Sequence, residues 1–188
     1  MRVIAGRLGG RRLIAPPGTA HTRPTSDRVR EATFSILGDV GGARVLDLFA
    51  GTGGLGIEAL SRGAARCVFV ERERRALAAL RANLNALELG APLAELRAGD
   101  ALAGVELARE RGEAYDLVFV DPPYRAAPEL GEPLSVSLPA VLGAGARVVA
   151  ESDRRTPLRL TGLEPLTQRR YGDTLIAIYS HGSEGLQR

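Results

Sequence analysis

The tetrapeptide Asp121-Pro122-Pro123-Tyr124 directly follows the apolar run 117–120 and is the element best suited to chemistry. Proline lacks a backbone N–H and has a fixed φ, and a residue before proline is pushed to extended backbone. Asp121 and Pro122 are therefore expected to be extended, with carbonyl and carboxylate acceptors and few donors between them. Such an edge complements a group with two N–H donors, namely an exocyclic base amine. Tyr124 adds an aromatic face, and stacking a base on such a ring is worth about 1–3 kcal/mol. An amine conjugated to a ring is a poor nucleophile. Hydrogen bonds from its two N–H groups to the Asp121 carboxylate and the Pro122 carbonyl would orient it. They would also favour the positive charge that develops as it attacks an electrophile. The bland alternative is a proline loop that merely ends a strand.

Three further acids stand near the ends of other apolar runs: Asp47, Glu71 and Asp100. Each alone has an ordinary reading, since Asp after a strand often caps a helix. Between the first two lies Gly51-Thr52-Gly53-Gly54-Leu55-Gly56, which fits G-x-G-x-x-G, with Glu71 twenty residues after Gly51. That pattern is the dinucleotide fingerprint, so an NAD-dependent oxidoreductase is one reading. A pyrophosphate, however, favours helix N-terminal amides without nearby anions. Asp47 lies four residues before the first glycine, on the strand that feeds the loop. A carboxylate there repels phosphate and attracts a cation. S-adenosylmethionine carries an ammonium and a sulfonium, and its ribose diol and adenine amine are donors that acidic side chains accept. Glu71 would take a ribose from either ligand; Asp47 is what favours the methyl donor.

These residues need a scaffold that gathers strand ends. From residue 44 onward, strand and helix patterns alternate, with strands expected at 45–49, 67–70, 94–97, 117–120 and 147–150. Helices are expected at 55–61, 72–89, 101–111 and, more weakly, 128–142. Such alternation builds parallel βαβ units, and ligands of open parallel sheets bind at the carboxyl ends of the strands. Runs 166–171 and 175–179, joined by Gly172-Asp173, read as an antiparallel hairpin. Residues 2–15, around Gly9-Gly10, also suit a hairpin. Thr25-Ser26-Asp27 offers cap oxygens for a helix carrying Val29, Ala32, Ile36 and Leu37.

Composition narrows the partners. All 25 basic side chains are arginine. Residues 1–31 hold seven arginines against Asp27 and Glu31, whereas the remaining residues are net acidic. Arginine's planar fork suits phosphate, and segregated charge is what an anionic partner exploits. The only cysteine, Cys67, sits in an apolar strand and reads as a core residue. It allows no intramolecular disulfide. The two histidines, His21 and His181, lie at opposite ends of the chain, so no metal is expected. No apolar run is long enough to span a membrane, and no signal peptide is evident. The expectation is a cytoplasmic protein, monomeric, with no membrane association.

Several motifs together resemble the bacterial small-subunit rRNA guanine-N2 methyltransferases, the RsmD-like group. They are Arg2-Val3-Ile4-Ala5-Gly6 with Gly9-Gly10-Arg11, and Arg23-Pro24-Thr25-Ser26-Asp27-Arg28-Val29-Arg30-Glu31. Next come Asp47-Leu48-Phe49-Ala50-Gly51-Thr52-Gly53, Leu55-Gly56 and Glu58-Ala59-Leu60-Ser61-Arg62-Gly63, then Asp121-Pro122-Pro123-Tyr124 and Tyr171-Gly172-Asp173-Thr174. The resemblance implies a Rossmann-like α/β methyltransferase fold. Its sheet would be mostly parallel and seven-stranded, with a C-terminal antiparallel hairpin and an N-terminal β-hairpin extension. It implies division into an RNA-contacting extension (1–24), a catalytic domain (25–182) and a loose tail (183–188). The implied activity is methylation of the N2 amine of one guanine in 16S rRNA, naked or in a partly assembled small subunit. Asp47, Gly51 and Gly53 would cradle the methionyl part of S-adenosylmethionine, Glu71 the ribose, and Asp100 with Ala101 the adenine. Arg23 and Thr25 would lie near its carboxylate. Asp121, Pro122, Pro123 and Tyr124 would bind the guanine. Arg7, Arg11, Arg12 and Arg28 would grip the RNA backbone, which phosphate contacts position without reading sequence. The residues themselves do not separate guanine N2 from adenine N6 or cytosine N4. An adenine-N6 methyltransferase and an inactive RNA-binding assembly protein are the other readings.

Overall fold

The structure, a computed structural model, describes residues 1–15, 26–123 and 126–182. Its seven strands lie in one sheet in the order 94–98, 66–71, 44–47, 115–120, 142–153, 174–180, 164–171. The contacts divide the chain into two units, Met1–Ala101 and Leu102–Arg188.

The first unit contains α1 (Asp27–Leu37), β1 (Arg44–Asp47), α2 (Gly54–Ser61), β2 (Arg66–Glu71), α3 (Arg74–Ala86) and β3 (Ala94–Ala98). Strands β1–β2 and β2–β3 pair in parallel. Val45, Leu46, Cys67, Val68, Phe69 and Val70 are all fully buried, as a sheet covered on both faces requires. Ser26 caps α1, its Oγ accepting from the Val29 N–H at 3.3 Å. Helix α2 lies hard against β2: a Cβ on Gly56 would stand 2.3 Å from Phe69 Cε1 and 2.6 Å from Cys67 Sγ. The third glycine of the fingerprint is thus a packing glycine. Burial pushes the Cys67 thiol well up from its ordinary pKa, and the Asp47 carboxylate adds to this, so it is the core residue expected.

The second unit contains most of α4 (Ala101–Glu110), then β4 (Tyr115–Val120), α5 (Ala127–Ser137), a 3-10 turn at Leu138–Val141, β5 (Leu142–Asp153), β6 (Glu164–Tyr171) and β7 (Thr174–Ser180). Strands β4 and β5 are parallel; β7 runs antiparallel to both β5 and β6. Leu117, Val118, Phe119 and Val120 are fully buried. Gly131 lets α5 approach the chain at Arg159, whose carbonyl oxygen would be 2.9 Å from a Cβ. Ser135 Oγ holds the same contact by accepting from the Thr161 N–H at 2.8 Å.

The expected elements are present with shifted ends. The helix expected at 72–89 begins at Arg74 because Glu73 caps it, its Oε2 accepting from the Ala76 N–H at 2.6 Å. Strand β1 stops at Asp47, and Leu48-Phe49 turn into the glycine loop. The N-terminal hairpin is a chain reversal with one antiparallel bridge, Arg2 to Arg12, rather than a regular ladder. Its physical reason is competition. The N–H groups of Ile4 and Ala5 go to the Glu58 carboxylate at 2.7 and 3.0 Å, and that of Leu8 to Ser61 Oγ at 3.0 Å.

Candidate functional site

In the first unit the ends of β1, β2 and β3 bring Asp47, Glu71 and Asp100 to one edge of the sheet, beside the glycine loop. Asp47 is 1% exposed. Its Oδ2 accepts from the Gly56 N–H at 3.0 Å, so it buttresses the loop from beneath. Glu71 Oε2 accepts from the Gly51 N–H at 2.8 Å, and its Oε1 accepts from the N–H groups of Arg72 and Glu73, each at 2.8 Å. The Gly53 N–H goes to the Ala50 carbonyl at 2.7 Å. All three named glycines of the fingerprint therefore donate to protein acceptors, two of them to carboxylates.

Gly51 and Gly53 have φ of 55° and 89°, the left-handed region where a side chain is strained. A Cβ on Gly53 would meet Leu80 and Ile57 methyls at 2.6 and 2.7 Å, so this glycine sits on the core. Among the described residues, a Cβ on Gly51 would meet only the Phe49 carbonyl oxygen, at 4.0 Å. Asp100 is exposed, and its Oδ2 pairs with Arg72 Nη1 at 3.4 Å, joining the ends of β2 and β3. Ala101, buried, opens α4. A glycine loop with a ring of carboxylates fits a cationic adenosyl ligand that brings donors. Asp47, Gly51, Gly53, Glu71, Asp100 and Ala101 are the residues that would hold it. Arg23 and Thr25 lie outside the described residues.

In the second unit Asp121 and Pro122 follow β4 directly; Asp121 is half-buried and Pro122 buried. The Pro123 carbonyl accepts from the Ala126 N–H at 2.8 Å and starts α5. That bond removes one of the acceptors expected at this edge, so the Asp121 carboxylate and the Pro122 carbonyl are the pair suited to a two-donor amine. Tyr124 lies outside the described residues.

Arg7, Arg11, Arg12 and Arg28 are all exposed. Arg11 Nη2 also donates to the Ala86 carbonyl at 3.0 Å, at the end of α3, where helix carbonyls lack intrahelical partners. Among the described residues, no group of three or more His, Cys, Asp or Glu is arranged to hold a metal ion. No described helix is long and apolar enough to cross a membrane.

Four residues that hold this apparatus together carried no role in the sequence reading. Glu58, fully buried, takes the Ile4 and Ala5 amides and the Arg62 Nε at 2.8 Å. Ser61 receives Leu8 and donates to the Ala5 carbonyl at 2.5 Å. Asn83 clasps both main-chain groups of Ile14, at 2.7 and 3.0 Å, and donates to the Thr52 carbonyl of the glycine loop at 2.9 Å. Arg30, buried, donates to the Arg2 carbonyl at 2.5 Å and to Asp27 at 3.0 Å. Glu58 had a legible signal: it is the only charged residue in an otherwise apolar helix, and a helix apolar all round is a buried one. A charge there must find partners.

Known proteins share this architecture. Over 182 residues the chain is 41% identical to the "Putative rRNA methyltransferase YlbH" of Bacillus subtilis (strain 168), spanning 95% of this chain and 98% of that protein. Over 129 residues it is 43% identical to "Ribosomal RNA small subunit methyltransferase D" of Escherichia coli (strain K12), spanning 66% of this chain and 61% of that protein. Among solved structures, "Putative methyltransferase yhhF from Escherichia coli" superposes with a TM-score of 0.81 at 32% identity, covering 98% of this chain and 99% of that one. Residues 1–180 match the family described as Conserved hypothetical protein 95. The chain belongs to that family, and the likeness to the RsmD-like group read from its motifs is borne out.

Proposed function

We propose that the protein transfers a methyl group from S-adenosylmethionine to the exocyclic N2 amine of a guanine in 16S rRNA, presented in the cytoplasm on a partly assembled small subunit. One observation carries the choice of cofactor. The N–H groups of Gly51 and Gly56 already donate to Glu71 and Asp47, and that of Gly53 to a carbonyl. In the dinucleotide sites with the same glycine spacing, such amides face a pyrophosphate. Here they are committed, and two anions stand behind them. A ligand that brings donors and positive charge fits; one that brings phosphates does not.

Each residue then has a defined task. Asp47, beneath the loop, supplies a negative field that favours a sulfonium and an ammonium over an anion. Glu71 and Asp100 accept from the ribose hydroxyls and the adenine amine. The bound cofactor supplies an electrophilic methyl group. Asp121 and the Pro122 carbonyl accept from the two N–H groups of the guanine amine, fix its direction, and stabilise positive charge on its nitrogen. That nitrogen's surplus proton leaves to Asp121 or to water. Tyr124 stacks on the base, offsetting part of the few kcal/mol that extruding it costs. Residues 1–24, with Arg7, Arg11 and Arg12, and nearby Arg28, hold the RNA backbone. The protein acts as a monomer and without a metal.

The test is radiolabelled methyl transfer to small-subunit particles lacking the modification, followed by nucleoside analysis. N2-methylguanosine is expected, with an Asp121→Ala variant at least about a hundredfold slower, the scale of one lost transition-state hydrogen-bonding group. S-adenosylmethionine is expected to raise the melting temperature and NADH to leave it unchanged. Label on adenine or cytosine would overturn the base assignment. Full activity of Asp121→Ala would overturn the mechanism.

A further inference from the structure

The second unit carries a basic corner that the proposed function has not used. Strand β5 ends at Asp153, and the chain turns through Arg154 and Arg155 to Thr156, which forms a bridge back to Asp153. The β6–β7 hairpin turns at Gly172-Asp173 beside it, with Thr174 paired to Asp153. The two turns are locked together. The Arg154 N–H donates to the Asp173 carbonyl at 2.9 Å. Asp173 Oδ1 lies 3.2 Å from Arg154 Nε and 3.8 Å from Arg155 Nη2. Immediately before Tyr171, on the edge strand, Arg169 and Arg170 are both exposed.

The sheet register places this corner. Val120 pairs with Ala150, Ala150 with Ala177, and Ala177 with Gln168. Asp121, Arg169 and Arg170 therefore all lie just past the same level, at the carboxyl end of β4 and β5. Three strand spacings separate Asp121 from Arg169, roughly 14 Å. Arg154 and Arg155 continue from β5, the strand next to Asp121. Along these two turns, 153–156 and 169–174, four arginines thus stand beside two acids, Asp153 and Asp173.

Stability does not account for the arrangement. The Arg154 and Arg155 side chains are 47% and 71% exposed, and exposed ion pairs contribute about 0–1 kcal/mol. Protection of an edge strand needs charge on β6, but not a pair of arginines fastened to the turn after β5. Asp173 meets both guanidiniums through one oxygen, and both side chains stay about half or more exposed. Planar forks held in this way suit phosphate oxygens.

We propose that Arg154, Arg155, Arg169 and Arg170 form a phosphate-gripping surface that holds the RNA backbone flanking the base bound at Asp121. This rests on the proposed function and adds a contact surface to it, on the unit that carries the acceptor edge. Asp173 is a positioning residue within it, which gives the Tyr171-Gly172-Asp173-Thr174 motif a use.

The test compares the full-length chain with a variant in which all four arginines are replaced by glutamine, in methyl transfer to unmodified small-subunit particles across a salt series. An Arg169→Gln/Arg170→Gln variant, which leaves the Asp173 contacts intact, serves if the fourfold change disturbs folding. The fourfold variant is expected to raise KM for particles about tenfold with kcat within twofold. It is expected to flatten the log–log salt dependence by about three, each of the four lost phosphate contacts removing just under one. The double variant gives about half of each effect. Affinity for S-adenosylmethionine and the melting temperature are expected to stay as they are. A KM and salt slope equal to those of the unaltered chain, with methyl transfer intact, would overturn this surface and leave the proposed function standing. An unaltered chain that transfers no methyl group would overturn both.

Discussion

Replacing Glu58 by glutamine tests whether one buried carboxylate holds the N-terminal segment to the first unit. Glu58 is 0% exposed and accepts from Ile4 N–H at 2.7 Å, Ala5 N–H at 3.0 Å and Arg62 Nε at 2.8 Å. Glutamine has nearly the same shape but one acceptor oxygen. If that oxygen stays with Ala5 and Arg62, the new NH2 points at the Ile4 N–H, donor against donor. If it flips, the Ala5 and Arg62 donors are left. Hydrogen bonds to a charged group are worth about 1.5–3 kcal/mol each, and removing one partner of a buried pair costs about 3–5 kcal/mol. Arg62 can turn partly to water, so the lower end applies, about 3 kcal/mol. For a chain of this length each kcal/mol moves Tm by about 2–4 °C, giving a fall of roughly 6–12 °C. Circular dichroism melting at neutral pH measures it. Hydrogen exchange of the segment containing Ile4, Ala5 and Leu8 localises it, with faster exchange expected there than in β1 or β2. A Tm within about 1 °C of the unaltered chain, with unchanged exchange at Ile4 and Ala5, would refute the reasoning.

Two further outcomes follow from local geometry. Glu95 bonds Arg97 Nε at 2.8 Å and also pairs with Arg66. The Arg97 hydrogen bond is the chief cause that lowers its pKa from 4.5 to about 2, with Arg66 adding to it. A carboxyl lowered on folding stabilises the protein above its unfolded pKa and loses that contribution as pH falls from 4.5 toward about 2. Glu95→Gln should therefore lower the urea midpoint at neutral pH and flatten its fall in acid; parallel curves would contradict this. Gly56→Ala puts a methyl 2.3 Å from Phe69 and 2.6 Å from Cys67, with little room to yield between α2 and β2. Overpacking of this kind costs about 1–3 kcal/mol, read as a drop in Tm; an unchanged Tm would show that the helix shifts freely.

The strands were legible because burial writes itself into composition: Leu117, Val118, Phe119 and Val120 form an unbroken apolar run and are all at 0% exposure. The acids at the strand ends were legible for a related reason, since four of them, Asp47, Glu71, Asp100 and Asp121, recur near the ends of successive apolar runs. What the sequence did not disclose is where each polar group finds its partner. Glu58 and Ile4 are fifty-four residues apart, and Asn83 and Ile14 sixty-nine. No periodicity encodes those pairings; they exist because α2 and α3 bring the donors and acceptors together. The basic corner at Arg154 and Arg170 was hidden differently. Summed over residues 32–188, the arginines are outnumbered by acids. A total of this kind says nothing about a cluster that two turns assemble.

The glycine loop shows how one set of letters supports two chemistries. In G-x-G-x-x-G the glycines permit left-handed backbone and close packing; here Gly53 does both and Gly56 the second. Neither property selects a ligand. Selection comes from who receives the amide protons. With Asp47 under the loop, the Gly56 N–H is taken from inside, and with Glu71 at the end of β2, the Gly51 N–H is taken as well. A carboxylate has about four lone-pair sites, and Glu71 uses three on main-chain N–H groups. The remaining acceptor capacity suits a hydroxyl, not a phosphate. The loop is therefore shaped by its own acids, and no ligand is needed to order these three amides. In the proposed function, a cofactor would meet a preformed surface of acceptors, and its recognition would depend on the donors and positive charge it brings. The same argument applies to the acceptor edge. The Pro123 carbonyl is spent on starting α5, so the proposed acceptor role falls to the Asp121 carboxylate and the Pro122 carbonyl, whose oxygens would accept from the N–H groups of one amine.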